Sequence, residues 1–146
     1  MPCNKQLLWV DDEWPRQGGR RRLLEELVGK DNLTLVQTAE AAERALQGEQ
    51  QFDCVLIDIM LPRNDEDLHL ELVHLDAGIA ILKLIRDGAY SAVSKDVPVV
   101  ALTARGNNEA IKQIEQLLTG NHDHLLPKPA RSDDVRRAVK KALEER

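Results

Sequence analysis

The sequence predicts an α/β fold: a doubly wound, five-stranded parallel sheet of order 2-1-3-4-5 with helices on both faces. Five short apolar runs alternate with helix-like segments, which is the mark of strands joined by crossover helices. The runs are short and apolar, as strands covered by helices on both faces should be. Three of the helix-like segments stop at a glycine. A length of 146 residues suits one domain over residues 1–146, large enough to bury a core without disulfides or a structural metal.

The first strand is expected over Gln6 to Val10, and the first helix over Pro15 to Val28, stopped by Gly29 and weakened at its start by Gly18 and Gly19. Leu33 to Gln37 gives the second strand, and Ala39 to Gln47, stopped by Gly48, the second helix. Cys54 to Ile57 is the third strand. Ile79 to Arg86 carries apolar residues at helical spacing before Asp87-Gly88. Val97 to Leu102 follows as a strand, then a helix over Asn107 to Thr119 ended by Gly120. Leu125 to Leu126 is the shortest strand, and Ser132 caps a last helix running to Glu145 through Val135, Ala138, Val139 and Leu143.

Composition narrows the function classes. Apolar residues at 42% and charged residues at 31% are ordinary for a globular domain and argue against disorder. A net charge of -5 supplies no concentrated basic surface, so direct nucleic-acid binding is not expected. Arg20-Arg21-Arg22 and Arg136-Arg137 with Lys140-Lys141 are interleaved with apolar residues and glutamates and read as solvated helix faces. The opening MPCNKQLLWVDDE lacks the apolar core of a signal peptide, and no run approaches a membrane span. Cys3 and Cys54 lie in unrelated contexts, so a cytoplasmic protein is expected.

In this sheet order the first and third strands are neighbours, and a crevice opens at their C-terminal ends. Asp11-Asp12-Glu13 follows the first strand and Asp58 the third, which gathers at least three carboxylates. Such a cluster raises a pKa or takes a counter-cation, and Mg2+, or Mn2+ in its place, is the hard cation that suits oxygen ligands and phosphate together. Thr103 ends the fourth strand and Lys128 follows the fifth, at the same sheet edge. A hydroxyl and an ammonium facing a metal-bound carboxylate make a phosphoryl-transfer site in which Asp58 attacks phosphorus. Taken singly, each feature has a plainer reading: Asp12 as a helix cap, Lys128 as a turn lysine, Thr103 as a strand-end hydroxyl. His69, His74, His122 and His124 lack the spacing of a zinc site, and Trp9 and Trp14 read as packing residues.

Four segments, Leu8-Trp9-Val10-Asp11-Asp12-Glu13, Leu56-Ile57-Asp58-Ile59-Met60-Leu61-Pro62, Val99-Val100-Ala101-Leu102-Thr103-Ala104 and Leu126-Pro127-Lys128-Pro129, together resemble the receiver domain of two-component response regulators, in that family's order. The resemblance implies a flavodoxin-like sheet and a phosphorylation switch. It implies Asp12 as a direct metal ligand, Asp11 acting through water, Asp58 as phosphoacceptor and ligand, and the Met60 carbonyl as a further ligand. Thr103 and Lys128 would contact the phosphoryl group. The donor implied is a histidine kinase or a phosphotransfer protein. The chain would be no enzyme beyond its own phosphorylation and dephosphorylation, and its output would pass to an effector protein, with a homodimer left open.

Two departures stand out. The family's aromatic residue three before the lysine is Leu125 here, so the signal would be relayed by backbone shifts or by His122 and His124. The Met-Asp-Gly turn of the family is displaced to Asp76-Ala77-Gly78, leaving an insertion over Arg63 to Leu75 that begins acidic and turns amphipathic. It is expected to fold over the crevice or to add a partner surface. These departures favour a second reading, a phosphorylation-independent docking or dimerisation module. A metal-dependent phosphatase would want a second acid-base group near Asp58, and Ile59 and Met60 supply none.

Overall fold

The structure is a computed structural model, and it describes residues 4–104 and 108–144. Five parallel strands, β1 (Leu7–Val10), β2 (Leu33–Val36), β3 (Cys54–Asp58), β4 (Val99–Thr103) and β5 (His124–Pro127), form one sheet in the order β2-β1-β3-β4-β5. Six α-helices connect and follow them: α1 (Gly18–Val28), α2 (Ala39–Leu46), α3 (Asp65–His69), α4 (Leu75–Arg86), α5 (Asn108–Leu117) and α6 (Ser132–Glu144).

Alternate strand residues feed two cores, as the period of two demands. Leu8, Val10, Val55, Ile57, Val99 and Ala101 pack with Ala42, Leu46, Ile81, Leu82, Ile85 and Ile114 of α2, α4 and α5. Leu7, Trp9, Cys54, Leu56, Val100 and Leu102 pack with Leu24, Val28, Val135, Val139 and Leu143 of α1 and α6. Trp9 is a core residue, fully buried, and Cys54 is a buried free thiol. Cys3, Asn107 and Glu145 lie outside the described residues.

Several boundaries differ from expectation for identifiable reasons. The first helix is broken in two, a 3-10 turn over Trp14–Arg16 and then α1, because Gln17 stands in a non-helical conformation between them. The fourth strand begins at Val99, since the Val97 N–H is used in a turn to Ser94 O and Pro98 has none. Of the expected glycine stops only Gly29 takes a positive φ, 94°, and Gly88, at 75°, supplies the same turn after α4. Gly48 and Gly120 follow their helices without it.

Asp76-Ala77-Gly78 is not a turn. It lies in the first turns of α4, which starts four residues before the expected Ile79 because His74 takes the extended N-cap conformation. Gly78 is required by close approach: a Cβ there would stand 2.7 Å from Ile59 Cα and 2.8 Å from its carbonyl carbon, and closer still to the carbonyl oxygen. Gly78→Ala is therefore expected to lower unfolding stability in urea by about 1–3 kcal/mol through overpacking. Helix propensity alone would raise it by about 1 kcal/mol. A stabilised variant would show that α4 does not rest on the backbone after β3.

Candidate functional site

Strand register assembles the site. Val10 pairs with Ile57, so the next residues, Asp11 and Asp58, leave the sheet side by side. Asp58 itself is level with Leu102, and Thr103 with Pro127, which brings Thr103 and Lys128 to the same edge. Asp11, Asp58 and Thr103 are buried, and Asp12 is half-buried. One carboxylate oxygen from each of Asp11, Asp12 and Asp58 lies within 4.8 Å of the others.

The neighbouring backbone holds these groups. The Asp11 amide donates to Val36 O (3.0 Å), and Asp11 Oδ1 accepts from the Glu13 N–H (2.9 Å). Asp58 Oδ1 accepts from the Met60 N–H (3.0 Å), while Asp58 Oδ2 is paired with Lys128 Nζ. The Lys128 N–H donates to Thr103 O (2.8 Å), tying the lysine to the end of β4. Asp12 makes no capping hydrogen bond to the 3-10 turn or to α1, so capping does not account for it.

Burial dominates the electrostatics. It pushes the Asp58 carboxyl up to about 6 against the opposing pull of Lys128, with Asp11 adding to the rise. Asp11 is also raised, by burial against the pull of the Glu13 amide and of Lys128 and Arg20, and Asp12 is raised by burial and by its neighbours Asp11 and Glu13. Lys128 is raised: burial pulls it down, but the Asp58 carboxylate together with Asp11 and Glu13 outweighs that.

A hard divalent cation fits this set: three convergent carboxylates, all-oxygen donors, and Asp11 Oδ2 buried without a hydrogen-bond partner. Asp11, Asp12 and Asp58 could hold Mg2+ or Mn2+. Met60 reaches Asp58 through its amide. Among the described residues no other group of three His, Cys, Asp or Glu converges in this way, and His74 bonds Asp67 Oδ2 (3.2 Å).

The insertion walls one side of the site. Leu61 and His74 form an antiparallel bridge that pinches its base, and Asn64 caps α3 by accepting from Asp67 N (2.9 Å). Leu68, Glu71, Leu72 and Val73 then face Asp12, Glu13 and Arg16 across a cleft of about 490 Å³. Leu70, Leu72 and Val73 remain 60%, 47% and 38% exposed, so the segment lines the crevice without covering it. Leu125 packs toward α4 and α5, level with Ala101.

Arg20 was missed. Read among three arginines it looks solvated, but it is 8% exposed, donates from Nη2 to Ala130 O (2.8 Å), and acts electrostatically on Asp11 and Asp58. A buried position one helical turn before Leu24 was the available signal.

Residues 7–140 match the response regulator receiver domain. The chain is similar to the signal receiver domain of a signal transduction histidine kinase from Syntrophus aciditrophicus, with a TM-score of 0.70 and 19% identity over 97% of this chain and 91% of that one. It is also similar to a CheY-like response regulator receiver domain protein from Methanospirillum hungatei JF-1, with a TM-score of 0.67 and 20% identity over 97% and 94%. Response regulator DrrB from Thermotoga maritima gives 0.68 and 21% over 99% of this chain and 54% of that one. No curated protein matches the chain. At these identities the structures bear on the fold, while the match over residues 7–140 bears on the family. The chain belongs to the family of response regulator receiver domains.

Proposed function

We propose that Asp58 is the phosphoacceptor of a two-component phosphorelay and that its phosphorylation switches the binding of partner proteins. The observation that carries this is the buried Asp58 carboxylate, paired with Lys128 and set within 4.8 Å of Asp11 and Asp12. A buried carboxylate pushed up only to about 6 is largely ionised at pH 7 and can act as a nucleophile. An Asp58 oxygen forms the new bond to phosphorus while the bond from phosphorus to the donor breaks, the donor leaving with that electron pair. Lys128 offsets the charge on the phosphoryl oxygens, and the Thr103 hydroxyl, now bonded weakly to Ala104 O (3.3 Å), is free to turn toward them. A bound Mg2+ or Mn2+ would shield the carboxylates from the incoming phosphoryl group.

The family supports a histidine kinase or phosphotransfer protein as donor, and an effector protein as the recipient of the signal. No helix among the described residues is long and apolar enough to cross a membrane. The apolar lip at Leu70, Leu72 and Val73 favours a second reading, in which this surface docks a partner whether or not Asp58 is phosphorylated.

Intact-protein mass spectrometry after incubation with acetyl phosphate and Mg2+ tests the proposal. A single phosphoryl adduct is expected on the wild type and none on Asp58→Ala. A folded wild type that takes no adduct would overturn it and leave the docking reading.

A further inference from the structure

Lys128 is held by its own amide on one side, through the bond to Thr103 O (2.8 Å). On the other side the chain runs through Pro129, Ala130 and Arg131 before α6 begins at Ser132. A loop of this kind is fixed only if something outside it takes its polar groups. Arg20, reaching from the first turn of α1, does so: Nη2 donates to Ala130 O (2.8 Å) and Nε to Ser132 Oγ (3.4 Å). One planar guanidinium thus bridges α1, the residue two beyond Lys128, and the first residue of α6.

The surroundings indicate more than helix packing. Arg20 and Lys128 line one cavity of about 340 Å³ with Glu13, Gln17, Leu102 and Ala130, directly beside the carboxylate cluster. Burying a guanidinium is costly, and an apolar residue at this turn of α1 would join Leu24 and Val28 against α6 at less cost. The arginine gains instead a rigid fork aimed at the lysine loop.

We propose that Arg20 is a positioning residue for phosphoryl transfer: by bridging α1 to the loop after Lys128, it fixes where the lysine ammonium stands against Asp58. This rests on the reading of Asp58 as phosphoacceptor. Lysine at position 20 keeps the charge and loses the fork, whereas methionine loses both, so the two variants separate geometry from field.

The test compares wild type, Arg20→Lys and Arg20→Met in acetyl phosphate reactions at saturating Mg2+, with rates referred to the folded fraction from thermal melts. Both variants are expected to phosphorylate about tenfold or more slowly than wild type, since small misplacements of a catalytic group carry penalties of that order. Wild-type rates for the folded variants would overturn the proposal, and so would full recovery in Arg20→Lys. If either variant fails to fold, Ser132→Ala, which removes the weaker contact, is expected to show a smaller slowing, and an unaltered rate there counts against the bridge. A wild type that takes no phosphoryl group sinks the functional reading instead. The positioning claim is then decided by NMR of the Lys128 ε-methylene: a signal unchanged in Arg20→Met overturns it, and one shifted toward that of a solvated lysine upholds it.

Discussion

Asp58→Asn is expected to melt roughly 2–8 °C above the wild type at pH 7 in the absence of divalent cations, and to lose most of the stabilisation that Mg2+ gives the wild type. The carboxyl is raised from 3.8 to about 6, so the native state holds its proton more tightly than the unfolded chain does. The associated stability is full below about pH 4 and is lost as pH rises through about 6, an amount of about 3 kcal/mol from two units of pKa. Asp11 and Asp12 are raised too and act in the same direction. Lys128, also raised, stays charged throughout this window and contributes no slope there. Asparagine removes the buried charge but leaves its own amide imperfectly paired, while Lys128, whose side chain is one-third exposed, can turn to water. The net gain is then about 1–2 kcal/mol. Magnesium at a hundred times its Kd would stabilise the wild type by about 2.7 kcal/mol, and Asp12→Ala much less. A variant that melts below the wild type without metal would show that burying the Asp58 charge does not cost the fold as argued, and one that keeps its full Mg2+ shift would show that Asp58 does not hold the cation.

The reasons this site was legible in the sequence are physical. Parallel strands buried on both faces must be short apolar runs, so β1, β3 and β4 announce themselves, and residues following them must share one edge. Asp11, Asp58 and Thr103 could be placed together from that alone, and Lys128 joined them through the short run at Leu125-Leu126. The outer strands were harder. β5, half-buried along most of its length, is twice as long as the run at Leu125-Leu126 suggested, because His124 and Pro127 join it by register with β4 and not by polarity. α3 is a five-residue helix in which no residue is buried, too short to show a period, and its signal is the cap at Asn64. Arg20 was illegible for a different reason: periodicity marks which face is inward, but an arginine placed there is read as solvated unless the carbonyl that takes its proton is known. That carbonyl, Ala130 O, is 110 residues away.

The same blindness to long-range polar contacts hides the residue pair whose disruption should cost the fold most. Arg86, in the last turn of α4, donates from Nη2 to both carboxylate oxygens of Asp123, each at 3.0 Å. Its Nε reaches Leu117 O (2.7 Å), and Nη1 reaches Lys95 O (2.8 Å) and Val97 O (2.9 Å). Asp123, 4% exposed at its side chain, also accepts from Val99 N and Gly120 N, both at 2.9 Å. The end of α4, the end of α5, the entry to β4 and the turn before β5 are thereby joined through two side chains. Removing the guanidinium leaves a buried carboxylate with only backbone partners and strips three carbonyls of their donors. Arg86→Ala is therefore expected to lose about 3–5 kcal/mol in urea unfolding, with a fall in Tm on the order of 10 °C. Arg86→Lys should recover little, because an ammonium cannot reproduce the planar fork. A loss below about 1 kcal/mol would mean that the pair behaves as a solvated surface bridge. Val99 opens β4 and Thr103 ends it, so this cluster lies at the opposite edge of the sheet from Asp58. The Mg2+-induced stabilisation and the acetyl phosphate adduct should accordingly survive in the folded Arg86→Ala protein, which separates what holds the sheet together from what the carboxylate edge does.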